Sequence, residues 1–291
     1  MHVNPVLGRL GLGPKDRAVI LHVDDVGMCH ATIPAAVELH EARTVSSFSV
    51  MVPCAWSELA TRTLTAAGAD VGVHWTITSE WPYYRWSPVT GAPDLRDRDG
   101  RFPATNDQIR AQASPGSVSV ELAAQLDRAT QWGRISHCDS HMGAIGTPEF
   151  MVAAIQVALE RGVVPFVPRF DAEGWRQLGL DEAAAAQAGA HIAQLEEAGI
   201  PLVDHLRSLP LDHAEDHRGY LLALLDDLPP GVCHLYCHPA MDTSELRDLC
   251  NDWPGRVANF EALRSDGLAD EIAKRGVTLV PYSSLQQLLP Q

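Results

Sequence analysis

The sequence lacks close cysteine pairs and long apolar runs, and each absence narrows the class of protein. Its six cysteines are scattered and none forms a Cys-x-x-Cys pair, so we expect reduced thiols and no disulfide framework. No stretch approaches the roughly 20 apolar residues of a membrane span, which argues against a membrane partner. Residues 1–14 carry no apolar run of the kind found in signal peptides. We therefore expect a cytoplasmic protein.

Basic residues are also scarce. The chain has 22 Lys and Arg residues and 37 Asp and Glu residues, which gives a formal net charge of −15. Because nucleic-acid binding depends on neutralising phosphates with Lys and Arg, this balance argues against a nucleic-acid partner. Hydrophobic residues make up 46% of the chain and charged residues 20%, as in globular proteins. A chain of 291 residues is long enough for one α/β barrel or for two smaller domains.

The most informative stretch is a buried strand that ends in two acids. Residues 19–23 are apolar except for His22, as in a strand covered on both faces. Asp24 and Asp25 follow where the strand meets its loop, and Gly27 permits a close backbone turn. Because neighbouring strand residues point to opposite sides, we expect the two carboxylates to have different surroundings.

Apolar, β-branched segments alternate with segments of helical spacing along the chain. This alternation predicts an α/β fold with seven or eight parallel strands. An open doubly wound sheet is one such fold, but no Gly-x-Gly-x-x-Gly follows the first strand. Polar residues recur at the carboxyl ends of the strands, where barrels build their active sites. We therefore predict a TIM-like (β/α) barrel, irregular in outline, and a single domain over residues 1–291.

One segment, at about residues 78–117, interrupts the alternation. It contains Trp81, Tyr83, Tyr84, Trp86 and several prolines. Loops of this length are usually functional or disordered, and four large aromatic residues argue against disorder. The rings suit stacking on a ligand as a lid. Packing against the barrel or a partner subunit explains them equally well, so the sequence also permits a homodimer.

A set of polar residues ends several predicted strands: Asp24, Asp25, His74, Asp139, His141 and His238. In a barrel these ends point to one face, so the residues share one pocket. An Asp-His-His set matches a catalytic divalent metal site, in which the ion lowers the pKa of a bound water to about 7. A carboxylate that does not bind the ion then takes the proton. Taken singly, adjacent acids are more often caps, and a lone strand histidine is more often a hydrogen-bonded core residue.

Four motifs in this order resemble the YdjC/ChbG-type carbohydrate deacetylases, which have a (β/α) barrel-like fold. They are Asp-Asp-Val-Gly, Val-Gly-Val-His, His-x-Asp-Ser-His and Cys-His-Pro, and the resemblance spans roughly residues 19–285. The chain departs from the usual pattern at Val26, at Ala240 and at Met142-Gly143, and the last departure concerns the substrate more than the metal.

The resemblance implies roles for individual residues. Asp25, His74 and His141 would bind one divalent metal ion, with zinc favoured and magnesium also compatible. Asp24 would be the general base, and His238 the general acid that protonates the departing amine. Asp139 is a candidate for orienting a ligand histidine. Arg169 is a candidate for orienting Asp24 or for binding substrate. Trp81 and Trp86 are candidates for contacting substrate.

The expected function is that of a metal-dependent hydrolase that removes an acetyl group from an N-acetylated sugar or a related small molecule. One alternative is a carbohydrate-binding barrel without turnover, although such a protein needs neither a base at Asp24 nor an acid at His238. The other is a metal-dependent enzyme of another class, such as a phosphoesterase or a sugar isomerase. Two-metal phosphoesterases usually use more carboxylate ligands than this set contains.

Overall fold

Eight parallel strands form the framework of the protein in a computed structural model that describes residues 2–177, 179–212 and 215–290. The strands are β1 (Arg17–Val26), β2 (Ser47–Val50), β3 (Val71–Trp75), β4 (His137–Ser140), β5 (Val164–Pro165), β6 (His205–Ser208), β7 (Gly231–Cys237) and β8 (Val277–Leu279).

Helices follow most of the strands, as expected for a parallel sheet whose strands are joined by crossovers. They are α1 (Pro5–Arg9), α2 (Thr32–Ala42), α3 (Ser57–Ala66), α4 (Asn106–Gln112), α5 (Pro115–Thr130), α6 (Pro148–Glu160), α7 (Ala172–Gln177), α8 (Glu182–Glu197), α9 (His217–Asp227), α10 (Ser244–Leu249), α11 (Trp253–Leu263), α12 (Leu268–Lys274) and α13 (Tyr282–Gln286). None of these helices is long and apolar enough to cross a membrane.

The strands follow one another around a barrel. Their order is β5-β4-β3-β2-β1-β7-β6, and β8 pairs with the first residues of β1. A parallel bridge between Pro168 and Val203 joins the two ends of this path. The predicted α/β, TIM-like barrel is therefore confirmed, and its irregularity lies in the very short β5 and in β8, which shares one edge of β1 with β2.

The first strand shows why the sequence folds in this way. Its residues Val19, Leu21 and Val23 belong to the large apolar cluster between the barrel and the helices. Ala18 and Ile20 instead belong to a smaller cluster that α1 and α13 complete, which closes the amino end of the barrel. Both faces of β1 are thus covered, and its apolar run is the consequence. The polar carboxyl end is left to form a site.

The segment that interrupts the alternation packs on the barrel. Trp81, Trp86 and Phe102 are buried and join the large apolar cluster, whereas Tyr83 is 92% exposed. The segment is less irregular than the sequence indicates, because it contains α4, whose cap at Thr105 forms a reciprocal capping box with Gln108.

Candidate active site at the carboxyl end of the barrel

The polar residues that end the strands meet in one cavity of about 520 Å³. Its wall includes all six residues of the predicted set, namely Asp24, Asp25, His74, Asp139, His141 and His238. They come from β1, β3 and β4 and from the residues directly after β4 and β7, which parallel pairing brings to one end of the barrel. The expectation that these residues share a pocket is therefore met.

A β-bulge at the end of β1 aims both acids into this cavity. The register with β2 shifts between Val23 and Val26, and Asp25 has a left-handed backbone with φ of 61°. A bulge of this kind re-aims a side chain that simple alternation would send to the other face. Asp24 and Asp25 therefore line the same cavity, although simple alternation would send them to opposite sides, and their surroundings differ as expected. Gly27 is needed beside them, since a Cβ atom there would lie 2.8 Å from the Cα of Ser57.

Asp25, His74 and His141 form a compact group whose ligand atoms lie within 4.8 Å of one another. Oδ1 of Asp25 is 3.3 Å from Nε2 of His74 and 3.1 Å from Nδ1 of His141. One carboxylate oxygen and two imidazole nitrogens are a donor set that divalent metals bind. These three residues are able to hold a metal ion.

Each member of this group is held by a further charged side chain. Nδ1 of His74 is 3.0 Å from a carboxylate oxygen of Asp139, and Nε2 of His141 is 3.1 Å from Glu80. On the opposite side, Arg256 donates to Oδ2 of Asp25 at 2.8 Å. Carboxylates on the outer nitrogen of a histidine fix its tautomer and ring orientation, which is the usual support of a metal site. The donor set and its surroundings therefore fit a metal ion.

The charges of these partners shift the pKa values of the group. Burial lowers the pKa of His141, but Glu80 and Asp25 outweigh it and raise the value to about 9. For His74 burial is likewise outweighed, chiefly by Asp139, so its pKa lies well above the usual value. Burial raises the pKa of Asp25, but the charge of Arg256 and hydrogen bonds from both histidines hold it well below its ordinary range. Without metal, these neighbouring charges therefore favour the protonated form of both histidines.

Asp24 lies beside this group and has a different set of neighbours. Its Oδ1 accepts a hydrogen bond from Nδ1 of His22 at 2.6 Å. Its Oδ2 is 3.8 Å from Nε2 of His238 and 4.0 Å from Nε2 of His74. The backbone N–H of His238 donates to Oδ1 of Asn259, which fixes the start of the loop after β7. Asp24 is therefore oriented by His22 and faces His238 across a short gap.

Below Asp24, the barrel interior holds a buried cluster of histidines. Nε2 of His22 is 2.7 Å from Nε2 of His137, and Nδ1 of His234 is 2.8 Å from the hydroxyl of Tyr282. His22, Asp24, Asp139 and His234 also satisfy the distance criterion for a metal site. However, both nitrogens of His22 already contact Asp24 and His137, so this second set is a hydrogen-bonded support under Asp24.

The aromatic candidates divide between cavity and core. Trp81 lines the cavity and lies under the guanidinium of Arg256, 5.8 Å from the ring centroid. Trp86 is buried, and its indole N–H donates to the carbonyl oxygen of Thr78 at 2.7 Å. Trp86 therefore packs under the site, whereas Trp81 forms part of its wall.

Arg169 is not brought to the site with the other candidates. Its guanidinium donates to Asp204 and Glu196, at 3.0 and 2.9 Å, and to the backbone carbonyl of His2. Among the described residues, its guanidinium bonds only to His2, Glu196 and Asp204, and Arg169 does not line the cavity. It ties the two ends of the strand path together.

Glu80, Arg256 and His22 contact the site residues but were not identified from the sequence. Glu80 lies in the interrupted segment and Arg256 on α11, where single charged residues usually face solvent. His22 had a usable signal, because it is a polar residue within an otherwise apolar strand two positions before Asp24.

Comparison with known proteins places the chain in a family. The family model of the YdjC-like proteins matches residues 18–274. A carbohydrate deacetylase from Thermus thermophilus is 36% identical over 258 residues, covering 89% of this chain and 90% of that protein. A carbohydrate deacetylase from Geobacillus stearothermophilus is 25% identical, covering 94% and 99% of the two chains.

A solved structure has the same fold. A protein from Enterococcus faecalis V583, named only provisionally as a cellobiose-phosphate cleavage protein, superposes with a TM-score of 0.74 at 20% identity. The superposition covers 93% of this chain and 99% of that one. The superposition shows a shared fold. The family match over most of the sequence confirms the resemblance inferred from the motifs, and the chain belongs to the YdjC-like protein family.

Proposed function

We propose that the protein is a metal-dependent hydrolase that removes an acetyl group from the nitrogen of an acetylated sugar. The observation that carries the proposal is that the two acids on β1 have different neighbours. Asp25 belongs to the group able to hold a metal, whereas Asp24 lies outside it with one oxygen facing His238 at 3.8 Å. Two relatives that span most of the chain are named carbohydrate deacetylases, which supports the same reaction.

In this proposal Asp25, His74 and His141 hold one divalent ion. When bound, such an ion polarises a carbonyl oxygen and lowers the pKa of a water molecule to about 7. One carboxylate and two imidazoles favour zinc, because magnesium prefers oxygen ligands and near-octahedral geometry. Metal analysis of protein purified without added metal identifies the ion.

The proton transfers fall to Asp24 and His238. Asp24 takes a proton from the water that attacks the acetamide carbonyl, and His22 holds its carboxylate in place through the 2.6 Å hydrogen bond. The bond between carbonyl carbon and nitrogen then breaks, and His238 gives a proton to the departing amine. Acetate and the free amino sugar are the products, so one water is consumed and no other reactant is needed.

The wall of the cavity suits a sugar. Trp81 presents a large flat ring, and polar groups of Asp252 and Arg256 lie close to it. Aromatic faces with polar groups at their edge are suited to sugar rings, which have apolar faces and polar rims. We propose that Trp81 contacts the sugar and that Trp86 supports Trp81 from below, since their rings lie edge to face at 5.2 Å.

A screen of N-acetylated sugars for released acetate, with and without a metal chelator, tests the function. We expect acetate from at least one sugar, loss of release with chelator, and recovery on adding zinc. Phosphate release from sugar phosphates in the same screen, without acetate from any sugar, would instead favour a phosphoesterase. Binding of sugars with neither product would favour a carbohydrate-binding protein.

A further inference from the structure

Two residues of the sequence motifs have no part in the reaction proposed above. Gly72 is the glycine of Val-Gly-Val-His, and His137 is the first histidine of His-x-Asp-Ser-His. They lie on the neighbouring strands β3 and β4, one residue before the pair Val73 and Cys138. Both are buried and neither lines the active-site cavity. Any part that they have in the reaction is therefore indirect.

The ring of His137 is held in one place by its surroundings. A Cβ atom at Gly72 would lie 2.6 Å from Cδ2 of this ring, so a side chain there would displace it. The ring of Tyr282 stacks on His137, with 4.1 Å between the centroids and 18° between the planes. Nε2 of His137 is thereby directed at Nε2 of His22, 2.7 Å away.

One proton has to lie between these two Nε2 atoms, because two nitrogen lone pairs repel each other at this distance. Burial lowers the pKa of His137 well below its ordinary value, so its ring is neutral and carries one N–H. Nδ1 of His22 already donates to Oδ1 of Asp24. A second proton on Nε2 would make His22 a cation on a side chain that is 0% exposed, which burial disfavours. The arrangement with the fewest buried charges therefore gives the shared N–H to His137.

The other polar neighbours of His137 fit this arrangement. When Nε2 is the donor, Nδ1 is an acceptor, and the hydroxyl of Ser136 donates to it at 2.8 Å. The carboxylate of Asp70 is 4.0 Å from the same nitrogen, which is beyond hydrogen-bond distance. Asp70 instead accepts from the hydroxyl of Ser47 at 2.6 Å. One chain of hydrogen bonds therefore runs from Ser136 through both histidines to Asp24.

We propose that His137 holds His22 in the tautomer that donates to Asp24, which keeps one oxygen of this carboxylate bound and the other free for the attacking water. The bound oxygen is Oδ1, and the free one is Oδ2, which faces His238 at 3.8 Å. His137 is therefore a positioning residue that acts through His22. The inference rests on the proposed function for the role of Asp24, whereas the chain of hydrogen bonds belongs to the free protein.

His137→Gln and His137→Met separate hydrogen bonding from packing. The two new side chains have similar lengths, but only glutamine has an N–H donor that reaches the position of Nε2. On a sugar that the wild type deacetylates, His137→Met should lower kcat about tenfold or more, as part of the roughly 10²–10⁴-fold that a general base contributes. KM and metal content should not change, and His137→Gln should recover most of the loss. Equal kcat values in the two variants, or loss of metal in His137→Met, would overturn the proposal.

His22→Asn and His22→Leu repeat the comparison one step closer to the base. Asparagine keeps a donor near the position of Nδ1, so we expect a higher kcat for His22→Asn than for His22→Leu. Tyr282→Phe is the matched control, because it removes a buried hydrogen bond to His234 but keeps a ring against His137. Its kcat should stay within about twofold of the wild type. A loss in Tyr282→Phe as large as in His137→Met would contradict a specific role for His137.

NMR of the wild type labelled with ¹⁵N-histidine tests the chain without a substrate, since protonated and unprotonated ring nitrogens have well separated shifts. Spectra of His22→Asn and His137→Gln assign the signals. We expect the proton on Nδ1 alone in His22 and on Nε2 alone in His137. A doubly protonated His22, or a proton on Nδ1 of His137, would refute the proposal.

The two kinds of measurement separate this proposal from the proposed function. If no sugar releases acetate but the expected tautomers are found, the reaction is wrong and the hold of His137 on His22 still stands. If acetate is released but the expected tautomers are absent, the reaction stands and the role of His137 is refuted.

Discussion

Removing Arg256 tests how the buried charges of the site are balanced. Asp25 is 2% exposed and Arg256 is 4% exposed, and their side chains form an ion pair at 2.8 Å. The variant Arg256→Met keeps much of the volume but leaves the carboxylate of Asp25 without this partner. Breaking a buried ion pair by removing one member costs about 3–5 kcal/mol, because the other charge stays buried.

The assay is urea unfolding of the protein with chelator present. In thermal unfolding the same loss of stability corresponds to a decrease in melting temperature on the order of 10 °C. Arg161→Met is the matched control, since Arg161 also pairs with an aspartate, Asp127, but at a more exposed position. Exposed pairs contribute only about 0–1 kcal/mol, so we expect a much smaller change there.

Two further observations make the prediction specific. Saturating metal should reduce the difference between wild type and Arg256→Met, because a cation beside Asp25 supplies the missing positive charge. Adding Asp25→Asn to Arg256→Met should recover part of the lost stability, since the buried carboxylate of Asp25 is then removed. Equal stability of Arg256→Met and Arg161→Met in chelator would refute the reasoning.

The other predictions concern the support of the metal-binding group. Glu80→Gln should weaken metal binding about 10- to 100-fold in a metal titration, because Glu80 orients His141, whereas Asp97→Asn in the same segment should leave it unchanged. Without metal, the raised pKa of His141 stabilises the protein below pH 6.5, and this contribution is lost as the pH rises through about 9. In chelator, the melting temperature should therefore decrease between pH 7 and pH 10. In Glu80→Gln the same decrease should occur at lower pH. A melting temperature that does not depend on pH would contradict the assignment. Metal binding at pH 7 should release protons, which calorimetry in buffers of different ionisation enthalpy detects as a buffer-dependent heat.

The fold was predictable because it depends on patterns that the chain carries locally. The apolar run of residues 19–23 and the later β-branched segments identify buried strands, and helical spacing between them indicates crossovers. The strand boundaries were less accurate. Residues 201–205 have an apolar, strand-like composition, but β6 is observed at His205–Ser208, because Val203 forms only the single bridge to Pro168. Which strands close the barrel depends on such long-range contacts.

The histidines and acids of the candidate site were predictable because each lies where a strand ends. Their companions were not, for different physical reasons. Glu80 contacts the site only because the interrupted segment folds across His141. Arg256 contacts it only because α11 packs against the barrel. The bulge at Asp25 depends on pairing with β2, so the sequence alone gives alternation where the structure has both acids in one cavity.

The most direct test of the central claim compares Asp24→Asn with His74→Ala in metal content and in acetate release. If Asp24 is the base and His74 holds the metal, Asp24→Asn retains one metal ion per chain but releases no acetate, and His74→Ala loses both metal and activity. Full activity of Asp24→Asn on a substrate that the wild type deacetylates would contradict the assignment.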